Sequence, residues 1–208
     1  MDHLALLAHE VAGMTASLRA TPQGQVVAAC PGWTVRELTA HITGVHRWTE
    51  AALGTTTAPP PYDESVPDGA DVVETYAEVA QSMLAALGRV PADHACWTIN
   101  RHDQTAGFWR RRQLHELSIH RWDLAPYAVN DEIAADGIDE VLGFFLPRQL
   151  KTGRTSLPEQ TLVLASPSRT WRIGEGPETV VEGSASDLLL RLWGRSDPLP
   201  TPWSHLTP

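Results

Sequence analysis

The chain has 208 residues, 42% hydrophobic and 20% charged, a composition that can build a buried core and is not that of a disordered polymer. Its formal charge of −9, from 25 acidic and 16 basic residues, argues against a surface for nucleic acid or anionic lipid. With only two cysteines, Cys30 and Cys96, it can hold neither a disulfide framework nor a cysteine-rich zinc site, and a reduced, cytoplasmic setting fits.

The first residues, MDHLALLAHEVAGM, lack the basic region, apolar run and cleavage site of a signal peptide. No stretch approaches the roughly 18 consecutive apolar residues that span a membrane. Leu4, Leu7, Val11, Met14 and Leu18 recur at helical spacing and predict a first helix over 3–19. After the turn Cys30-Pro31-Gly32-Trp33, Thr34 and Glu37 form a capping box that opens a second helix. Its inner face is Val35, Leu38, Ile42 and Val45. A Thr/Pro-rich loop runs from Gly54 to Gly69, and Asp71 to Leu87 predicts a third helix. A fourth helix begins near Thr105 and ends before Pro126. A fifth covers Asp131 to Leu150, with Pro147 kinking or ending its last turn.

Near Gly153 the pattern changes. Thr161–Ala165, Thr170–Ile173 and Thr179–Val181 are β-prone runs, and Ser184 with Asp187 caps a short helix over Ala185–Trp193. The expected organisation is therefore α-rich, a helical domain over 1–152 followed by a small α+β domain over 153–208.

The chemistry concentrates in HELSIH, His115 to His120. Glu116 and His120 lie four residues apart and project from one helical face, where a carboxylate and an imidazole can share a divalent ion. Catalytic zinc commonly takes three protein ligands, and His41 on the second helix supplies a third. Histidine spacing differs from that of the HExxH metalloproteases, so His115 stands outside the ligand set as a solvated or supporting residue. His46, five residues from His41, faces elsewhere. Asp123 continues the Glu116–His120 face and could hold the other ring nitrogen of a ligand histidine, bind a substrate group, cap the helix or pair with Arg121. Spacing alone also permits an ordinary Glu–His salt bridge, with His41 a core residue between Leu38 and Ile42. Cys30 is as compatible with packing as with a nucleophile.

Three segments, CPGWTVRELTAHITGVHRW (30–48), RRQLHELSIHRWDL (111–124) and SASDLLLRLWGR (184–195), together resemble the mycothiol-dependent maleylpyruvate isomerase family. This family lies within the DinB-like metal-binding four-helix superfamily. The resemblance spans nearly the whole chain and implies a DinB-like four-helix bundle with a small C-terminal α+β unit. Motif by motif it implies His41, Glu116 and His120 as metal ligands and Asp123 as the acidic residue that follows them. It also implies Arg195, or less directly Arg191, as the arginine that meets substrate. Asp123 and Arg195 are thus the expected catalytic and thiol-binding residues.

The implied cofactors are Zn2+, or another divalent metal, and mycothiol, a thiol of actinobacteria. The expected activity is a mycothiol-dependent transferase or isomerase that activates a thiol for attack on a small electrophile. Maleylpyruvate isomerisation proper, metal-dependent hydrolysis and a noncatalytic metal- or ligand-binding bundle are the alternatives. Expected partners are mycothiol and a small-molecule electrophile, with no nucleic acid and no membrane, in a monomer or homodimer. Trp33, Trp48, Trp109, Trp122 and Trp193 read as packing residues, with a sugar-binding surface for the thiol as the other use.

Overall fold

The computed structural model describes residues 1–66, 69–197 and 199; the end of the domain expected to reach residue 208 lies outside them. The described chain divides into two compact units, Met1–Pro126 and Tyr127–Pro208.

The first unit holds four helices: α1 (His3–Ala20), α2 (Val35–Leu53), α3 (Val72–Arg89) and α4 (Ala106–Leu124). Each start has a local cause. The Asp2 carboxylate accepts the backbone N–H groups of Leu4 and Ala5, both at 3.1 Å. Asp71 does the same for Val73 and Glu74. At α2 the capping box forms as expected, the Thr34 N–H donating to Glu37 Oε2 at 2.8 Å. α1 packs along α4 and α3, α2 along α3, and α4 also meets α2. Leu7, Met14, Leu38, Ile42, Tyr76, Met83, Leu114 and Leu117 fill the space between them with no exposed surface. Such side chains each contribute about 1.5–3 kcal/mol on burial. Val45, expected on the inner face of α2, is only half-buried.

α4 departs from the amphipathic pattern. Arg112, Gln113, His115, Glu116, Ser118 and His120 are buried alongside its apolar residues. Polar groups taken from water in this number must find partners, so their arrangement marks the helix as more than a packing element.

The second unit contains α5 (Asp131–Glu140), a π-helical turn (Val141–Phe145), α6 (Leu146–Lys151), three strands and α7 (Ala185–Leu192). The expected boundary at 152 to 153 is therefore corrected to Pro126. α5 packs on α7, which covers the face left by Ile133, Ala134 and Ile138, so the helices before Gly153 belong with the strands that follow. The expected disruption at Pro147 occurs one turn earlier. Pro147 has no N–H and its ring crowds the carbonyl four residues back, and the chain responds with a widened turn in which the Leu146 N–H donates to the Val141 carbonyl.

Strands β1 (Thr161–Ala165), β2 (Thr170–Ile173) and β3 (Glu178–Glu182) form a sheet in the order β2-β1-β3. β1 is central, antiparallel to β2 with Leu162 opposite Ile173, and parallel to β3 with Leu162 opposite Thr179. The Trp171 indole N–H donates to Asp139 Oδ1 at 2.9 Å, tying β2 to α5. Ser184 caps α7 by accepting the Asp187 N–H at 3.0 Å. Among the described residues no helix is long and apolar enough to cross a membrane.

Candidate metal centre

Helix periodicity brings Glu116 above His120 on α4, and the α2–α4 contact sets His41 opposite them. Glu116 Oε1 stands 3.4 Å from His41 Nε2 and 3.3 Å from His120 Nε2. Zinc bonds of about 2.0–2.1 Å meeting at the tetrahedral angle separate two ligand atoms by about 3.4 Å. The three donor atoms therefore fit one divalent ion, and all lie within 4.8 Å of one another. The second Glu116 oxygen is engaged by the Arg112 guanidinium, which directs Oε1 toward the histidines.

Each imidazole is held from behind. His41 Nδ1–H donates to Glu64 Oε1 at 2.9 Å, and His120 Nδ1–H donates to Asp123 Oδ2 at 3.0 Å. A carboxylate on one ring nitrogen turns the other toward the centre and raises its basicity as a ligand. Trp33 flanks His41 with ring centroids 4.9 Å apart, and Tyr62 meets it edge-on at 5.7 Å.

Glu116, Arg112, His120 and Asp123 form an ionic network around the centre. Burial pushes the Glu116 carboxyl upward, but the Arg112 guanidinium and hydrogen bonds from His120 and His41 outweigh it and hold the group well below its ordinary value. Burial pushes His120 downward, and hydrogen bonds with Asp123, Cys30 and Glu116 together raise it well above the ordinary 6.5. His46 contrasts with both. Burial lowers it to about 4 against the opposing Gln113 hydrogen bond, so it stays neutral.

The structure gathers His41, Glu116, His120 and Asp123. Of the alternatives weighed for Asp123, the partner it takes on α4 is His120; Arg121 pairs instead with Glu10 at 3.2 Å. Cys30 joins the edge of the centre, its thiol 3.6 Å from Asp123 Oδ2, and with His120 and Asp123 it forms a second group able to hold an ion. His115 lies outside both groups, as expected, but it is 2% exposed, so its solvated reading is corrected: α4 is covered on that side as well. His46 is fully buried and bonds Gln113 Oε1 at 2.8 Å, facing the core.

Arg195 belongs to the second unit and is half-buried, its guanidinium donating to the Trp193 carbonyl at 2.8 Å. Arg191 is engaged within its own helix, donating to Asp187 Oδ2 at 2.9 Å. Sequence reasoning missed Arg112 and Glu64. Arg112 had a usable signal, a basic residue one helical turn before the candidate ligand Glu116. Glu64 had none, because it reaches His41 from an irregular loop.

Two family models match the chain: the mycothiol maleylpyruvate isomerase N-terminal domain over residues 4–125, and the MDMPI C-terminal domain over 132–206. Their junction agrees with the division after Pro126. No curated protein matches. Among solved structures, the chain is similar to a crystal structure of the mycothiol-dependent maleylpyruvate isomerase at TM-score 0.67 and 16% identity, covering 94% of this chain and 89% of the other. A histidine-to-alanine mutant of that enzyme aligns with the same coverage at TM-score 0.70 and 15% identity. At such identity the structures speak for the fold, whereas the first family model spans more than half the sequence, and the chain belongs to the mycothiol maleylpyruvate isomerase family.

Proposed function

We propose that this protein is a metal-dependent, mycothiol-dependent transferase or isomerase acting on a small electrophile, with maleylpyruvate cis–trans isomerisation as the narrower alternative. The reading is carried by the trio His41, Glu116 and His120, whose donor atoms stand at ligand separations with both imidazoles backed by carboxylates. Family membership and the two similar isomerase structures support the thiol and the reaction class. A divalent ion such as zinc, held by these three residues, would supply a Lewis acid with a coordination position for a thiol and lower that thiol's pKa toward neutrality.

The chain's own residues do the rest. Glu116, kept ionised by Arg112, brings negative charge to the centre, and the imidazoles of His41 and His120 would ligate through Nε2 in their neutral form. Asp123 fixes the orientation of His120 through Nδ1 and lies within reach of a proton at the Cys30 edge. Arg195 is assigned the substrate carboxylate. In the isomerase reading, thiol addition across a cis double bond, rotation about the resulting single bond and loss of the thiol give the trans product. In the transferase reading the thioether is kept. A reduced cytoplasmic setting, which suits a chain with only two cysteines, goes with this reading.

Elemental analysis of the wild type beside His120→Ala tests the centre, with about one zinc per chain expected in the first and none in the second. Turnover of maleylpyruvate, and of a general alkylating electrophile, is then measured with and without mycothiol. Metal binding with no thiol-dependent turnover of either substrate would refute the enzymatic part; Arg195→Ala with unchanged KM would remove its assigned role.

A further inference from the structure

The two ligand histidines are buttressed in different ways. Asp123 lies three residues from His120 on the same helix, so that support forms as soon as α4 does. His41 receives its carboxylate from Glu64, 23 positions along the chain, on the Pro-rich loop after α2. This support exists only while the loop is docked.

Docking has its own machinery. Gly44, one turn beyond His41, lets the loop backbone approach α2; a Cβ there would lie 2.8 Å from the Asp63 carbonyl oxygen and 3.3 Å from the Tyr62 ring. The Arg47 guanidinium donates to the Ser65 carbonyl at 3.0 Å. Asp63 tightens the turn by accepting the Ser65 N–H at 2.8 Å and its hydroxyl at 2.7 Å. Tyr62 inserts between His41 and Trp48, with centroid separations of 5.7 and 5.6 Å. A glycine inside a helix costs about 1 kcal/mol against alanine, and here the close approach of the loop explains its presence. Four consecutive loop residues are thus placed against α2, and the one aimed at the centre is the carboxylate.

We propose that Glu64 is a positioning residue for the metal centre: the docked loop holds the His41 imidazole with Nε2 turned inward, so that metal affinity depends on a segment outside the helices that carry the ligands. The proposal rests on the metal-binding reading given above. Its physical content is preorganisation. With Glu64 removed, the His41 ring can rotate and tautomerise freely, and that freedom must be given up on binding.

The test measures zinc affinity of the full chain by competition with a chromophoric chelator, together with the visible spectrum of the cobalt-loaded protein. Glu64→Ala is expected to bind zinc about 10–100-fold more weakly and to shift the cobalt bands. Glu64→Gln, which keeps the accepting oxygen without its charge, should fall between Glu64→Ala and wild type. Gly44→Ala should weaken binding by displacing the loop, and combining it with Glu64→Ala should add little further loss, because both act through one contact. The metal-free melting temperature of Glu64→Ala should stay at the wild-type value, since the Glu64 side chain is 47% exposed. Wild-type binding with Glu64→Ala within twofold would overturn the proposal alone. Absence of metal binding in wild type would overturn both it and the reading beneath it. If Gly44→Ala does not fold, the Glu64 pair still decides.

Discussion

Replacing Arg112 with methionine removes a guanidinium of nearly matching length from a site where Arg112 is 6% exposed. What remains is the Glu116 carboxylate, its side chain 8% exposed, with only the two imidazoles to compensate it. Breaking a buried ion pair by deleting one partner costs about 3–5 kcal/mol, and the remaining hydrogen bonds place this case at the lower end. At about 2–4 °C per kcal/mol for a chain of this size, a 3 kcal/mol loss lowers the melting temperature by about 6–12 °C.

The pH dependence has a definite sign. Glu116 has a folded-state pKa below its ordinary 4.5, so its network contributes stability present above about pH 4.5 and lost as pH falls through the folded value. In Arg112→Met that folded value climbs, and the acid loss begins at higher pH. Added zinc supplies the missing positive charge, so the difference between variant and wild type should shrink in the metal-loaded proteins. The assay is calorimetric melting from pH 4 to 8 with and without zinc. A metal-free variant melting within about 2 °C of wild type at pH 7, or a difference that zinc leaves unchanged, would refute the reasoning.

Three further outcomes are expected. Zinc binding at pH 7 should release protons, because His120 is raised well above 6.5 and must give up its proton to ligate; titration calorimetry in two buffers of different ionisation enthalpy reads this directly, and zero release would contradict the raised His120 value. The same raised value contributes stability present below pH 6.5 and lost as pH rises through the folded value, so the metal-free protein should soften in alkali. Cys30, half-buried at the edge of the centre, should react with a thiol reagent well before Cys96, which is 1% exposed and whose thiol burial pushes upward; comparable rates for both by mass spectrometry would show that the thiol environments are misjudged.

Much of the helical architecture was legible because its signals are local. The Thr34–Glu37 box, the Ser184–Asp187 cap and the apolar spacings of α1 to α4 act within one or two turns, and the elements begin and end within a few residues of expectation. The gathering of His41, Glu116 and His120 was legible for a related reason: Glu116 and His120 declare themselves by helical spacing, and only His41 needed a neighbouring helix. The unit boundary was not, because helical periodicity runs through 131–151 whichever partner covers it. What joins α5 to the second unit is its packing on α7, which begins 45 residues after α5 ends. Glu64 was invisible on the same principle, since a loop contact has no period to read.

Trp48, Trp97 and Trp109 cluster edge-on and tilted at centroid distances of 5.1, 5.5 and 6.2 Å, and Tyr62 bridges Trp48 to His41. Indoles this close couple their strong far-ultraviolet transitions, so circular dichroism in that region should carry a pair of indole bands of opposite sign on top of the helical signal. Tyr62 lies on the docked loop and its ring meets one member of the cluster at a tilt. Loop movement would therefore alter the optical signature of the unlabelled protein, a built-in gauge of the segment that carries Glu64.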